Sequence, residues 1–255
     1  MYDGFAFRGR SVAEFGAEAY WGESFAVGGK VRRASYALPE GGSVLIGPDV
    51  WEERTHSLTL LPSGGATDEP SWRRRILQWL QGARGELIWD SDPGMIRLAR
   101  FDAPGSGGGK VSPIGGMTLS ATLDGLVRSA QERAVTGDTA TRKIRLAMPS
   151  ETGIAAPLRI VIQSKGSLTG VNLKVAGASV VAKGITLPSG KVAEYYAGDP
   201  HGTPARFVVD GAPNYAGFAS GQWGILRAGM GEEILIETLG AEARVTVSAR
   251  GWYVD

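Results

Sequence analysis

Glycine restricts this chain more than any other residue type. It occurs 38 times in 255 residues, without the every-third-residue period of a collagen helix. Glycine adopts positive φ at no steric cost and weakens a helix interior by about 1 kcal/mol relative to alanine, so at this level it signals many turns and few long helices. Thirteen prolines add further breaks. Between the breaks lie short runs in which apolar and polar residues alternate, the period of a half-buried strand. The expected fold class is mainly β.

In the first half, strand-like runs fall at residues 5–7, 18–21, 34–38, 43–46 and 56–61, with Pro39-Glu40-Gly41-Gly42 as a turn. One helix interrupts them. Thr67 or Asp68 can cap it, Pro70 suits its first turn, and Gly82 ends it. Trp72, Ile76, Trp79 and Leu80 recur on a single stripe, which is core spacing. Arg73, Arg74 and Arg75 lie on another face, solvated or turned to a partner. A hairpin follows, with strands at 86–90 and 95–101 around Ser91-Asp92-Pro93-Gly94, where proline then glycine suits a type II turn. Residues 104–109 form a flexible glycine loop, and residues 117–123 a strand with one wet face.

Residues 129–141 are polar with little periodicity and read as a linker. Beyond them, alternating runs at 144–146, 158–162, 171–175, 206–209, 234–236 and 245–247 recur at sandwich-like intervals. These features divide the chain into a first domain, 1–140, and a second, 141–255, that is a β-sandwich or jelly roll.

Catalytic and metal signatures fail one after another. The glycine segment before Lys110 lacks phosphate-loop spacing, since Pro104 stands where the first glycine is needed and Val111 replaces the magnesium-holding hydroxyl. There is no cysteine, and the two histidines, His56 and His201, offer no zinc spacing. Asp90-Ser91-Asp92 begins like a calcium loop without the later acids. Sequence neighbours on a strand point to opposite faces, so neither Glu52-Glu53 nor Glu232-Glu233 forms a glycosidase pair by itself. The chain is expected to be non-enzymatic, with no cofactor and no metal.

A formal charge of +1 lacks the basic excess that nucleic-acid binding needs, and no apolar run approaches membrane-spanning length. The opening Met1-Tyr2-Asp3-Gly4 does not read as a secretion signal, so synthesis in a cytoplasm is expected. In the second half, Tyr195, Tyr196, Tyr215, Phe218 and Trp223 are placed in loop-rich parts, where a ring can stack on a sugar face. Tyr195, Tyr196, Tyr215 and Trp223 are the candidate saccharide contacts.

The first half resembles the distal tail proteins of long, flexible-tailed bacteriophages. Phe5-Ala6-Phe7-Arg8-Gly9 is similar to that family's opening strand, and Leu38-Pro39-Glu40-Gly41-Gly42 to its strand and glycine turn. The order of helix, Trp79-Leu80, glycine, strand and hairpin, through Gly85-Glu86-Leu87-Ile88-Trp89-Asp90 to Leu98-Ala99-Arg100, carries the likeness furthest. The closing run from Val245 to Tyr253 is similar to the family's last strand.

The resemblance implies a hexameric ring at the virion tail tip, made in the bacterial host cytoplasm, that joins the tail tube to the adsorption apparatus. Residues 1–140 would form the belt, a β-sandwich or split barrel with one helix and a hairpin arm, of which Lys110 and its glycine loop would be part. Residues 141–255 would be a galectin-like or carbohydrate-module-like sandwich, holding receptor-binding proteins or touching cell-wall saccharide. Its partners would be further copies of the chain, the tail tube and the tail-tip hub. The rival expectation is a monomeric carbohydrate-binding protein. A third, a polysaccharide hydrolase on a sandwich fold, needs converging acids that no motif supplies.

Overall fold

The computed structural model describes residues 3–22, 31–32, 35–37, 43–45, 50–64, 69–82, 84–102, 116–148, 152–198, 204–215, 217–221 and 226–254. The chain divides into two compact units, Met1–Ala130 with Tyr253–Asp255, and Gln131–Trp252. It is mainly β, with one α-helix among the described residues.

In the first unit the strands lie in the order Arg10–Ser11, Phe5–Phe7, Gly85–Trp89, Asp92–Asp102, Met117–Leu123, Arg54–Pro62 and Ala17–Trp21, every pair antiparallel. The amide of Asp3, just ahead of Phe5–Phe7, donates to the Ala19 carbonyl on the far edge strand at 3.2 Å. The sheet therefore curls until its two ends meet, as in a split barrel.

Inside the curl sit Phe5, Phe7, Trp21, Leu58, Leu60, Leu87 and Leu123, all buried. The helix Glu69–Leu80 packs Trp72, Ile76, Trp79 and Leu80 into this core, the stripe that the spacing predicts. Its candidate caps Thr67 and Asp68 lie outside the described residues. The Trp79 ring stacks on Phe15 at 4.2 Å and on Phe5 at 5.6 Å. Buried indoles need an acceptor, and three find backbone carbonyls: Trp79 donates to Phe7 at 3.1 Å, Trp72 to Phe15 at 3.0 Å and Trp21 to Asp3 at 3.2 Å.

The hairpin differs from the expectation. Asp92 pairs directly with Trp89, so the turn is Asp90-Ser91, and Pro93-Gly94 fall inside the second strand ahead of a register shift before Arg97. Gly94 is not in the left-handed region that a type II turn requires. A distant residue decides this. The Asp3 carboxylate accepts from the Ser91 amide at 3.1 Å and from the Ser91 hydroxyl, while the Asp90 amide donates to the Gly4 carbonyl at 2.9 Å.

Residues 31–51 contribute two further antiparallel pairs, each a separate two-stranded sheet: Val31–Arg32 with Val50–Trp51, and within it Ser35–Ala37 with Ser43–Leu45.

The second unit is a β-sandwich. One five-stranded sheet has the order Lys143–Ala147, Glu233–Leu239, Leu168–Val175, Ala178–Leu187, Phe218–Gly221. In the other, Ala243–Val254, Arg159–Ser164, Val192–Tyr196, Arg206–Val209 and Ala212–Pro213 follow one another. Alternate residues face inward: Val171, Leu173, Ile234 and Ile236 from the first sheet, and Ile160, Ile162, Tyr195, Val245 and Val247 from the second, are fully buried. Ala176-Gly177 and Asp210-Gly211 make two-residue turns with both φ angles positive, the geometry that follows the strand twist.

Three segments depart from the sequence reading. The expected linker at 129–141 is largely strand, Leu126–Asp138, whose side chains beyond Gln131 are mostly exposed, so no apolar period marks it. Ala178–Leu187 holds Gly184 at φ +68° inside a strand, which reads locally as a break. Val192–Tyr196 is a strand where a loop-rich part was expected.

Replacing Trp79 with Phe keeps a ring on Phe15 and leaves the buried Phe7 carbonyl without its indole donor. Urea unfolding is expected to show a loss of about 1–3 kcal/mol with an unchanged m-value.

Candidate functional site

The sandwich presents charged rows on its solvent faces. On one sheet, backbone register sets Ser248, Arg159, Tyr196 and Arg206 side by side on neighbouring strands. Their side chains form a connected row. Ser248 donates to the Glu132 carboxylate, which lies 4.0 Å from the Arg159 guanidinium. Arg159 also reaches Glu194 at 3.3 Å, and the Tyr196 hydroxyl donates to the same carboxylate. The Arg159 and Arg206 guanidiniums lie over the Tyr196 ring, 5.3 and 4.1 Å from its centre, one from each neighbouring strand.

This row disperses the expected saccharide residues. Tyr195 and Tyr196 are successive residues of one strand and point to opposite faces. Tyr195 is 0% exposed, so its ring is core and offers no platform. Tyr196 is on the solvent face with arginines over its ring. Tyr215 is 61% exposed, just beyond Ala212–Pro213 at the edge of the same sheet. Trp223 lies outside the described residues, and the side chain of Phe218 is not described.

The other sheet repeats the device. Glu237 is the cross-strand partner of Lys143 and of Asn172, and its carboxylate meets Lys143 at 3.1 Å, Lys174 at 3.6 Å and the Asn172 amide at 2.8 Å. Arg145 and Glu233 pair beside it at 2.9 Å. The Lys143 contact first, then Lys174 and Asn172, hold the Glu237 carboxyl below its usual range, against the opposing effect of burial.

The adjacent acids serve structural ends. Glu232 accepts from the Gly229 amide at 2.7 Å in a turn, and Glu53 pairs with Arg84. His56 lies within the Arg54–Pro62 strand, while His201 and Lys110 fall outside the described residues. Among the described residues no three His, Cys, Asp or Glu side chains gather as a metal site, and no helix is long and apolar enough to cross a membrane.

Compared whole, the structure is similar to the solved Dit protein of phage SPP1 over 99% of this chain and 99% of that one, with a TM-score of 0.65 and 13% identity. The chain has the Dit fold. Two structures of the phage P2 baseplate in its activated conformation, with calcium and with strontium, align with 96% of this chain and 98% and 97% of theirs, at 9% identity and TM-scores of 0.48 and 0.46. No protein-family model and no curated protein sequence matches the chain. The likeness to SPP1 Dit includes both units, the sandwich as well as the curled sheet.

The depressed Glu237 carboxyl predicts a pH response. Its contribution to stability is present above the unfolded value of about 4.3 and lost as pH falls through the lower folded value. Urea midpoints measured across roughly pH 6 to 3 are expected to fall more steeply for the wild type than for Glu237→Gln.

Proposed function

We propose that this chain is a distal tail protein that closes, as six copies, into a ring at the tip of a phage tail and joins the tail tube to the adsorption apparatus. The observation that carries this reading is the likeness to SPP1 Dit across 99% of both chains. That protein is described as a paradigm of the hub adsorption apparatus in phages that infect Gram-positive bacteria. The first unit supplies the belt. The second is a galectin-like sandwich directed outward, where it holds receptor-binding proteins or meets the cell wall. Synthesis takes place in the bacterial host cytoplasm, and the role is structural rather than catalytic.

Physical features of the chain support the reading. A ring needs head-to-tail contacts that close on themselves. The nested pairs of residues 31–51 are each two strands wide, and a lone two-stranded hairpin is marginal in water until another surface completes it. A neighbouring subunit supplies that surface. A strand edge is a row of donors and acceptors that another strand can complete. A net charge of +1 keeps repulsion low among packed copies.

The test is mass in solution by light scattering after size exclusion, with particle imaging. Six copies of the 26.8 kDa chain give about 160 kDa and six-fold particles. Replacing residues 33–49 with a short Asn-Gly turn is expected to leave a folded monomer. A chain that stays monomeric at all concentrations, alone and mixed with the tube and hub proteins of its tail, overturns the proposal.

A further inference from the structure

A pocket in the first unit is separate from the strand pairs assigned to ring contact. Arg10, Phe15, Arg75, Gln78 and Trp79 line a space of about 280 Å³. Its position follows from local structure. Arg75, Gln78 and Trp79 share one helix face at i, i+3 and i+4. Arg10 precedes and Phe15 ends the short 3-10 turn Val12–Phe15, which Ser11 and Glu14 close with a reciprocal capping box.

The floor is aromatic and its polar groups are already used. Phe15 and Trp79 stack with ring centres 4.2 Å apart. The Trp79 indole donates to Phe7, and the Phe15 carbonyl accepts from Trp72. The open valences belong to the cations above the floor. Arg10 lies 4.4 Å over the Phe15 ring and gives its Nε hydrogen to Glu14 at 3.2 Å, while among the described residues its terminal nitrogens donate to no acceptor. Arg75 is exposed and has no acidic partner among the described residues. Glu14 cannot neutralise both. One of its oxygens accepts from the Ser11 amide at 2.9 Å and the other from Arg10, and the amide first, then Arg10, hold its carboxyl below the usual range.

A site lined by two arginines around an apolar floor selects an occupant that accepts hydrogen bonds, carries negative charge and has a planar head. A carboxylate meets all three conditions, because the guanidinium fork matches its two oxygens. The volume lies just below the range of small-molecule pockets and fits a single side chain with little else. We propose that this pocket seats an aspartate or glutamate side chain from an acidic segment of an adjoining protein chain. The proposal does not depend on the ring, because it concerns one unit and one side chain.

The experiment titrates a hexaglutamate peptide into the full chain by calorimetry, using each species resolved by size exclusion, with hexaglutamine as the uncharged control. Saturable binding of hexaglutamate alone is expected. Arg75→Gln and Arg10→Gln each weaken it about tenfold or more, with circular dichroism and unfolding midpoint unchanged. Arg74→Gln, on the same helix but outside the pocket, leaves it unaltered. Absence of saturable binding in every species overturns the proposal. So does an equal loss in Arg74→Gln and Arg75→Gln, which would make the attraction one of general charge. The ring reading stands or falls on mass alone, so the two failures are distinguishable.

Discussion

Trp79 ties together the parts of the first unit. Its ring stacks on Phe15 from the 3-10 turn and on Phe5 from the sheet, and its indole N–H satisfies the Phe7 carbonyl. Stacked pairs of this kind add about 0.5–1.5 kcal/mol each beyond the area they bury, and an unmet buried carbonyl costs about 1–3 kcal/mol. The side chain therefore fixes the helix on the sheet in rotation as well as in distance. Trp72 repeats the arrangement one end over, against Phe15, and Trp21 repeats it against Asp3. With the helix held this way, Arg75 and Gln78 line the same pocket as Arg10.

The sandwich is organised by register. Because cross-strand neighbours sit side by side, a charged residue on one strand reaches polar or oppositely charged groups on the next, and the solvent faces carry connected rows of such contacts. Exposed ion pairs of this type contribute little to stability individually. Their effect here is on surface chemistry: in the row that contains Tyr196, the aromatic face is taken by arginines instead of being offered to solvent.

At 13% identity the likeness to SPP1 Dit cannot reside in shared side chains. It lies in the order, length and connection of elements, which depend on period and turn chemistry that many residue types satisfy. The same tolerance explains how a strand as polar as Leu126–Asp138 keeps its place through backbone bonds.

By itself the sequence determined the mainly β class, the helix with its buried stripe of Trp72, Ile76, Trp79 and Leu80, and six strands of the second half. Those features follow from periods of 3.6 and 2, which are local. Tertiary structure decided whatever depends on residues far apart. Pro93-Gly94 favour a turn locally, yet Asp3, 88 positions from Ser91, places the turn at Asp90-Ser91. Tyr195 and Tyr196 look alike in the chain, and the pleat sends one to the core and the other to a row of arginines. Arg10 and Arg75 belong to segments with no sequence relation, and share a pocket because Trp79 packs against Phe15. Local preference sets which elements form. Burial and hydrogen bonding between distant residues set where they turn and what they expose.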